Sequence, residues 1–125
     1  MVSVVLGIGS NCGDREKLVK NTISWLSTIL MQTVSSSVYE TPDAVKTGKP
    51  YLNAVVKGFF EGNGIELEDL LKEKEHSMGR TAECRQKGDV PIDIDIVIMN
   101  DEVVKDWDFR QKFFQTGYKQ ITPNL

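Results

Sequence analysis

Apolar and polar positions along this chain switch between two periods, and the switches mark out its elements. From Ser3 to Ile8, Val4, Leu6 and Ile8 share one face and Val5 and Gly7 the other, as in a short strand ending at Gly9-Ser10-Asn11. From about Asp14 the steps lengthen: Leu18, Val19, Ile23, Leu26, Ile29 and Leu30 recur at three and four residues, which predicts an amphipathic helix with Asp14 as its N-cap. Val34 to Tyr39, rich in hydroxyl and β-branched residues, reads as a thin second strand. Thr41 to Pro50, with two prolines and a glycine, reads as a long loop of the kind that often carries function.

Period two returns over Tyr51 to Phe60, with Tyr51, Asn53, Val55 and Lys57 on one face and Leu52, Ala54 and Val56 on the other. Gly62-Asn63-Gly64 turns the chain, and Ile65, Leu67, Leu70, Leu71 and Met78 predict a second helix closed by Gly79. Thr81 to Asp89 is polar and reads as irregular. Val90 to Met99 then forms a strand with Ile92, Ile94, Ile96 and Ile98 on one face and Asp93, Asp95 and Val97 on the other. The order β-α-β-β-α-β is that of the ferredoxin-like α+β fold, an antiparallel sheet with both helices on one face and the other face free for an active site.

Parity makes this free face chemically uneven. If the isoleucines face the helices, Asp93 and Asp95 lie opposite them, about 6.5 to 7 Å apart along the strand. The same rule brings Tyr51 and Asn53 to that face, and Glu75 to its border from the end of the second helix. A carboxylate pair has two readings: a solvated outer face, or a hard oxygen site for Mg²⁺ that holds phosphate oxygens.

Composition narrows the field. The length of 125 residues fits one domain, 1–125, and a net charge of −3 argues against a surface built for nucleic acid. Cys12 and Cys84 lack CxxC spacing and His76 is the single histidine, so neither a disulfide framework nor a zinc site is expected. No apolar run approaches a membrane span and MVSVVLGIGSN lacks a basic leader, so a cytoplasmic protein is expected.

The motifs in order are Gly9-Ser10-Asn11 with Gly13-Asp14-Arg15, Ser36-Ser37-Val38-Tyr39-Glu40-Thr41-Pro42, Tyr51 to Val56, Glu75, Gly79-Arg80 and Asp93-Ile94-Asp95. Together they resemble the 6-hydroxymethyl-7,8-dihydropterin pyrophosphokinase family of folate synthesis, as a short, divergent member. The resemblance implies transfer of pyrophosphate from ATP to a reduced pterin, with release of AMP. It implies two Mg²⁺ ions on Asp93 and Asp95, with Arg80 beside them as a catalytic cation. Thr41, Pro42, Tyr51, Asn53 and Phe113 would hold the pterin. Glu75, Arg80 and main-chain groups of Ile96 would face the nucleotide, and Arg85, Lys87 and Arg110 are this chain's own further cations expected on that side.

The chain also departs from that family. Where the family reads Arg-Trp-Gly-Pro-Arg-Thr-Leu before its aspartates, Gln86 to Ile92 keeps only Gly88 in register, with Lys87 at the tryptophan and Val90 at the phosphate-bracing arginine. The family's C-terminal Val-Pro-His-Pro segment is missing, and Arg110 stands one place off its arginine. Phe113 keeps the family's ten-residue distance to the proline of Ile121-Thr122-Pro123, although Phe109, Phe113, Phe114 and Tyr118 also fit the core of a short closing helix. Trp107 reads as packing. The replacement for the lost arginine is open among Arg85, Lys87 and a residue after Val103. The alternative function is an impaired relative that binds a pterin, a nucleotide or a protein partner.

Overall fold

The computed structural model describes residues 1–45 and 48–122; Pro123 and part of the Thr41 to Pro50 loop lie outside the described residues. In chain order the elements are β1 (Val2–Ser10), α1 (Arg15–Ile29), β2 (Met31–Ser35), β3 (Tyr39–Thr41), β4 (Tyr51–Phe60), α2 (Gly64–Ser77), α3 (Ala82–Lys87), β5 (Asp93–Met99), β6 (Glu102–Val103), α4 (Asp106–Arg110) and α5 (Lys112–Ile121). One sheet runs β2-β4-β1-β5-β6, with β3 also paired to β4, and every pairing is antiparallel. This is the expected ferredoxin-like arrangement with β1 at its centre.

Local chemistry starts and stops the helices. Asp14 caps α1 by accepting from Lys17 N, and Asn63 and Glu66 cap α2 reciprocally. Behind the sheet, Val19 and Leu26 of α1 and Leu67 and Leu71 of α2 pack on Val4, Leu6, Ile8, Ala54, Val56, Ile92, Ile94 and Ile96, all buried.

Four local expectations need correction. The second strand divides into β2 and β3, because Ser36 turns inward and its hydroxyl accepts from Val55 N at 2.8 Å. The stretch from Thr81 to Asp89 contains α3, capped by Thr81 and ended by left-handed Gly88. Ile98 does not share a face with Ile92, Ile94 and Ile96. The register of β5 on β1 slips so that Ile96 pairs with Leu6 and Ile98 with Val5, which leaves Val97 as the extra residue of a bulge. Past it the parity inverts: Ile98 joins the opposite cluster and Met99 the helix-side core.

The fourth correction concerns the free face, because helices lie on both sides of the sheet. Phe114 and Ile121 of α5 cover Val55, Val97 and Ile98. Gly117 permits the close approach: a Cβ there would stand 2.6 Å from Val55 Cγ2 and 2.8 Å from the Tyr39 hydroxyl. That hydroxyl donates to Phe113 O at 2.6 Å and accepts from Gly117 N at 3.0 Å, which pins α5 to β3. The end of the face formed by Gly7 and Gly9 of β1, Asn53 of β4 and Asp93 and Asp95 of β5 is left as a hollow.

Candidate active site

The uncovered end is a cavity because two strand positions lack side chains. Across the sheet, Asp93 of β5, Gly9 of β1 and Asn53 of β4 lie in one row, and Asp95, Gly7 and Val55 in the next. Gly7 and Gly9 leave hollow the ground between carboxylates and amide, which is what glycine inside a strand does where something must come close. A Cβ on Gly9 would meet the Tyr51 ring at 3.3 Å and Asn53 Oδ1 at 3.4 Å. The resulting cavity measures about 190 Å³, with Tyr51 and Phe113 among its walls, Thr41 and Pro42 on one rim and Trp107 and Asp108 on another.

Asn53 is 3% exposed and its orientation is fixed. Its Nδ2 donates to Thr41 Oγ1 at 2.8 Å and more weakly to the carbonyls of Tyr39 and Tyr51, so Oδ1 is the atom turned toward the hollow over Gly9. All five residues assigned to the pterin therefore converge on one cavity. Trp107 corrects the reading as packing: it is 54% exposed, its ring centroid 6.0 Å from that of Phe113.

Asp93 and Asp95 border a second, more open cleft of about 510 Å³, where Glu75, Arg80, Arg85 and Lys105 also lie. Arg80 Nη1 donates to Asp93 Oδ1 at 2.7 Å, to Glu75 Oε2 at 3.0 Å and to Ile92 O at 3.4 Å. Glu75 Oε2 also accepts from Ile94 N at 2.8 Å, tying the end of α2 to the start of β5. On the other flank Lys105 Nζ meets Asp95 Oδ1 at 2.6 Å.

The electrostatics reflect crowding. Asp95 is pushed up to about 7, first by burial and then by Asp93 beside it, and the nearby Lys105 offsets only part of this. Burial raises Glu75 against the opposing pull of Ile94 N and Arg80, and burial and Asp95 raise Asp108. Two adjacent carboxylates in such a state are a natural seat for a hard cation. Among the described residues no group of three or more metal-ligating side chains forms. Mg²⁺ does not need one, since it commonly binds through one or two carboxylates and completes its shell with water and phosphate oxygens.

Three assigned residues stand apart from both hollows. Lys87 pairs with Glu83 along α3 at 3.2 Å, and Arg110 pairs with Asp106 on the surface of α4. Ile96 is 5% exposed among the helix-side residues, so only its main chain is on offer. Sequence reasoning missed Gly7, Gly9, Lys105 and Asp108. The glycines had a legible signal as strand-interior glycines. Lys105 owes its place to a tight hairpin in which Asn100 and Asp101, at φ of 50° and 65°, reverse the chain between β5 and β6.

Fold and site together define an antiparallel α+β sheet protein with a carboxylate pair set between a ring-walled cavity and a cation-lined cleft. A family model described as 7,8-dihydro-6-hydroxymethylpterin-pyrophosphokinase (HPPK) matches residues 5–123. The chain is 34% identical over 103 residues to 2-amino-4-hydroxy-6-hydroxymethyldihydropteridine pyrophosphokinase of Bacillus subtilis, covering 80% of this chain and 61% of the relative. It is 34% identical over 102 residues to the protein of the same name from Porphyromonas gingivalis, covering 78% and 69%. It is 33% identical over 96 residues to the folate synthesis bifunctional protein of Arabidopsis thaliana, covering 75% and 20%. The chain belongs to the HPPK family. It spans about three fifths of the length of the Bacillus relative.

Proposed function

We propose that this chain transfers the pyrophosphoryl group of ATP to the hydroxymethyl oxygen of 6-hydroxymethyl-7,8-dihydropterin and releases AMP, as a cytoplasmic enzyme of folate synthesis. The observation that carries the reading is the convergence of Asn53, Tyr51, Thr41 and Phe113 on one cavity whose border is the aspartate pair. Asn53 Oδ1 suits the N–H edge of a pterin, and Tyr51 and Phe113 offer rings to its faces. A pterin seated so directs its hydroxymethyl group toward Asp93 and Asp95, where the cleft on the other side holds the triphosphate among Arg80, Arg85 and Lys105.

In that arrangement the hydroxymethyl oxygen bonds to the β-phosphorus and releases its proton to solvent, the bond from that phosphorus to the α-bridging oxygen breaks with its electron pair left on the α-phosphate, and AMP departs. Asp93 and Asp95 would hold Mg²⁺, two ions in this reading, and the metal would supply charge neutralisation and alignment of the phosphates. The protein's own contribution is position: Arg80 is fixed by three acceptors, and Glu75 braces the strand that presents both aspartates. Ile96 can meet the nucleotide only through its main chain, and Lys87 and Arg110 remain on surface ion pairs.

The test is nucleotide analysis after incubation of the pure protein with ATP, Mg²⁺ and 6-hydroxymethyl-7,8-dihydropterin. AMP that appears only with pterin is the expected product; ADP, or no AMP above the pterin-free control, overturns the reading. A second reading has its own observation. Val90 and Pro91 stand where the family carries a phosphate-bracing arginine and its neighbour, and α3 ties Lys87 to Glu83. Pterin or MgATP bound without turnover would put a binding protein first.

A further inference from the structure

Two cations meet the aspartate pair, and they are held in different ways. Arg80 is part of the frame, since its Nη1 reaches Glu75, Asp93 and the carbonyl of Ile92 at 3.0, 2.7 and 3.4 Å. Lys105 has a single acceptor for its ammonium among the described residues, Asp95 Oδ1 at 2.6 Å. An ammonium carries three protons, so one contact leaves two uncommitted. Its side chain is 40% exposed and leaves the chain just beyond β6, where its own N–H donates to Val97 O at 3.3 Å. The base is anchored on β5 while a four-carbon stem is free to swing.

The charges of the cleft make such a swing useful. Besides the Lys72–Glu68 pair on its wall, three cations, Arg80, Arg85 and Lys105, face three carboxylates, Glu75, Asp93 and Asp95. An empty cleft is therefore close to neutral and offers a polyanion little net attraction. When Asp93 and Asp95 are occupied by divalent cation, Lys105 loses its reason to stay on Asp95 and becomes surplus positive charge in the same cleft. Arg80 keeps its Glu75 and Ile92 partners and has less freedom to follow.

We infer that Lys105 is a phosphate-holding residue of this chain, paired with Asp95 while the site is empty and turned to phosphate oxygens when nucleotide and metal enter together. The inference deepens the pyrophosphoryl-transfer reading and rests on it for the identity of the nucleotide. It also supplies a basic group from beyond Val103, where the stretch Gln86 to Ile92 supplies no arginine.

The test compares wild type, Lys105→Met and Lys105→Arg by calorimetric titration with MgATP and with adenosine, and by Mn²⁺ titration followed through the paramagnetic signal of free ion. Lys105→Met should bind Mn²⁺ alone about threefold to tenfold more tightly, because a competing cation has left Asp95. The same variant should bind MgATP about 10- to 100-fold more weakly, as expected for loss of a charge-assisted hydrogen bond to phosphate, with adenosine unchanged. Lys105→Arg should stay within about threefold of wild type for MgATP, which shows that the charge and not the fold is at issue. MgATP bound as tightly or more tightly by Lys105→Met would make Lys105 a mere counter-ion, and an equal loss for adenosine would mean a collapsed site; either overturns the inference. No pterin is needed, so a chain that forms no AMP yet shows the opposed metal and MgATP effects would lose the transfer reading and keep this one.

Discussion

The sheet face turned away from α1 and α2 has two halves built from the same three strands. In one, Val55 and Val97 are 0–1% exposed beneath Phe114 of α5, itself 0% exposed. In the other, two residues back along β4 and β5, stand Asn53 and Asp95, with only glycines between them on β1. The covered half closes with apolar contact and the uncovered half with hydrogen bonds and ion pairs around a hollow. Stability and chemistry are thus assigned to neighbouring positions of one surface, and residues on the two halves should respond to change in opposite ways.

The largest expected effect falls in the covered half. Phe114→Ala removes a ring that is 0% exposed and packed at 5.3 Å from the Tyr118 ring and 5.9 Å from that of Phe109. Urea unfolding should show a loss of roughly 3–5 kcal/mol. Because α5 also carries Phe113, pterin binding should fail with it. A loss below about 1 kcal/mol would mean that α5 does not close the core.

Next comes the acidic half, whose contribution depends on pH. Asp95 holds its proton up to about 7 in the fold against an ordinary 3.8, and burial raises Glu75 and Asp108 in the same direction. A carboxyl raised by folding binds its proton more tightly in the native state than in the unfolded chain. The associated stability is complete below about pH 4 and is lost as pH rises to about 7, by roughly 2–4 kcal/mol for Asp95. Asp95→Asn should flatten that part of the metal-free stability profile and bring the curves of variant and wild type together at acid pH. Parallel curves from pH 4 to 8 would show that the pair is not strained.

Sequence legibility follows the same division. Period two placed Tyr51, Asn53, Asp93 and Asp95 on one face and the isoleucines through Ile96 on the other, because a strand's alternation is a local property. It failed at Ile98, where the bulge at Val97 is set by pairing with β1. Lys105 and Trp107 were out of reach for a related reason. The place of Lys105 depends on a tight reversal at Asn100-Asp101 with positive φ at both, and that of Trp107 on α5 docking through Tyr39, contacts that join residues far apart in sequence. The helix α3 was legible in principle from Thr81 and Gly88, yet its interior Ala-Glu-Cys-Arg-Gln-Lys has no apolar face to reveal it.

The smallest effect on stability should come from Trp107, and it sharpens the contrast with Phe114. Both rings lie on the same side of the sheet, but Trp107 is 54% exposed at the cavity rim and touches Phe113 rather than the core. Trp107→Ala should change unfolding free energy by no more than about 0.5 kcal/mol. If its ring closes over a bound heterocycle, the variant should bind 6-hydroxymethyl-7,8-dihydropterin roughly threefold to tenfold more weakly, the scale of one aromatic contact. The molecule carries its own probe, because Trp25 is the only other tryptophan and lies on α1, beneath Lys74 at 5.1 Å and behind the sheet. Pterin should therefore shift the emission of a Trp25→Phe variant and change that of Trp107→Phe much less. Equal responses from the two would remove Trp107 from the rim of a working site, and a stability loss matching that of Phe114→Ala would return it to the core.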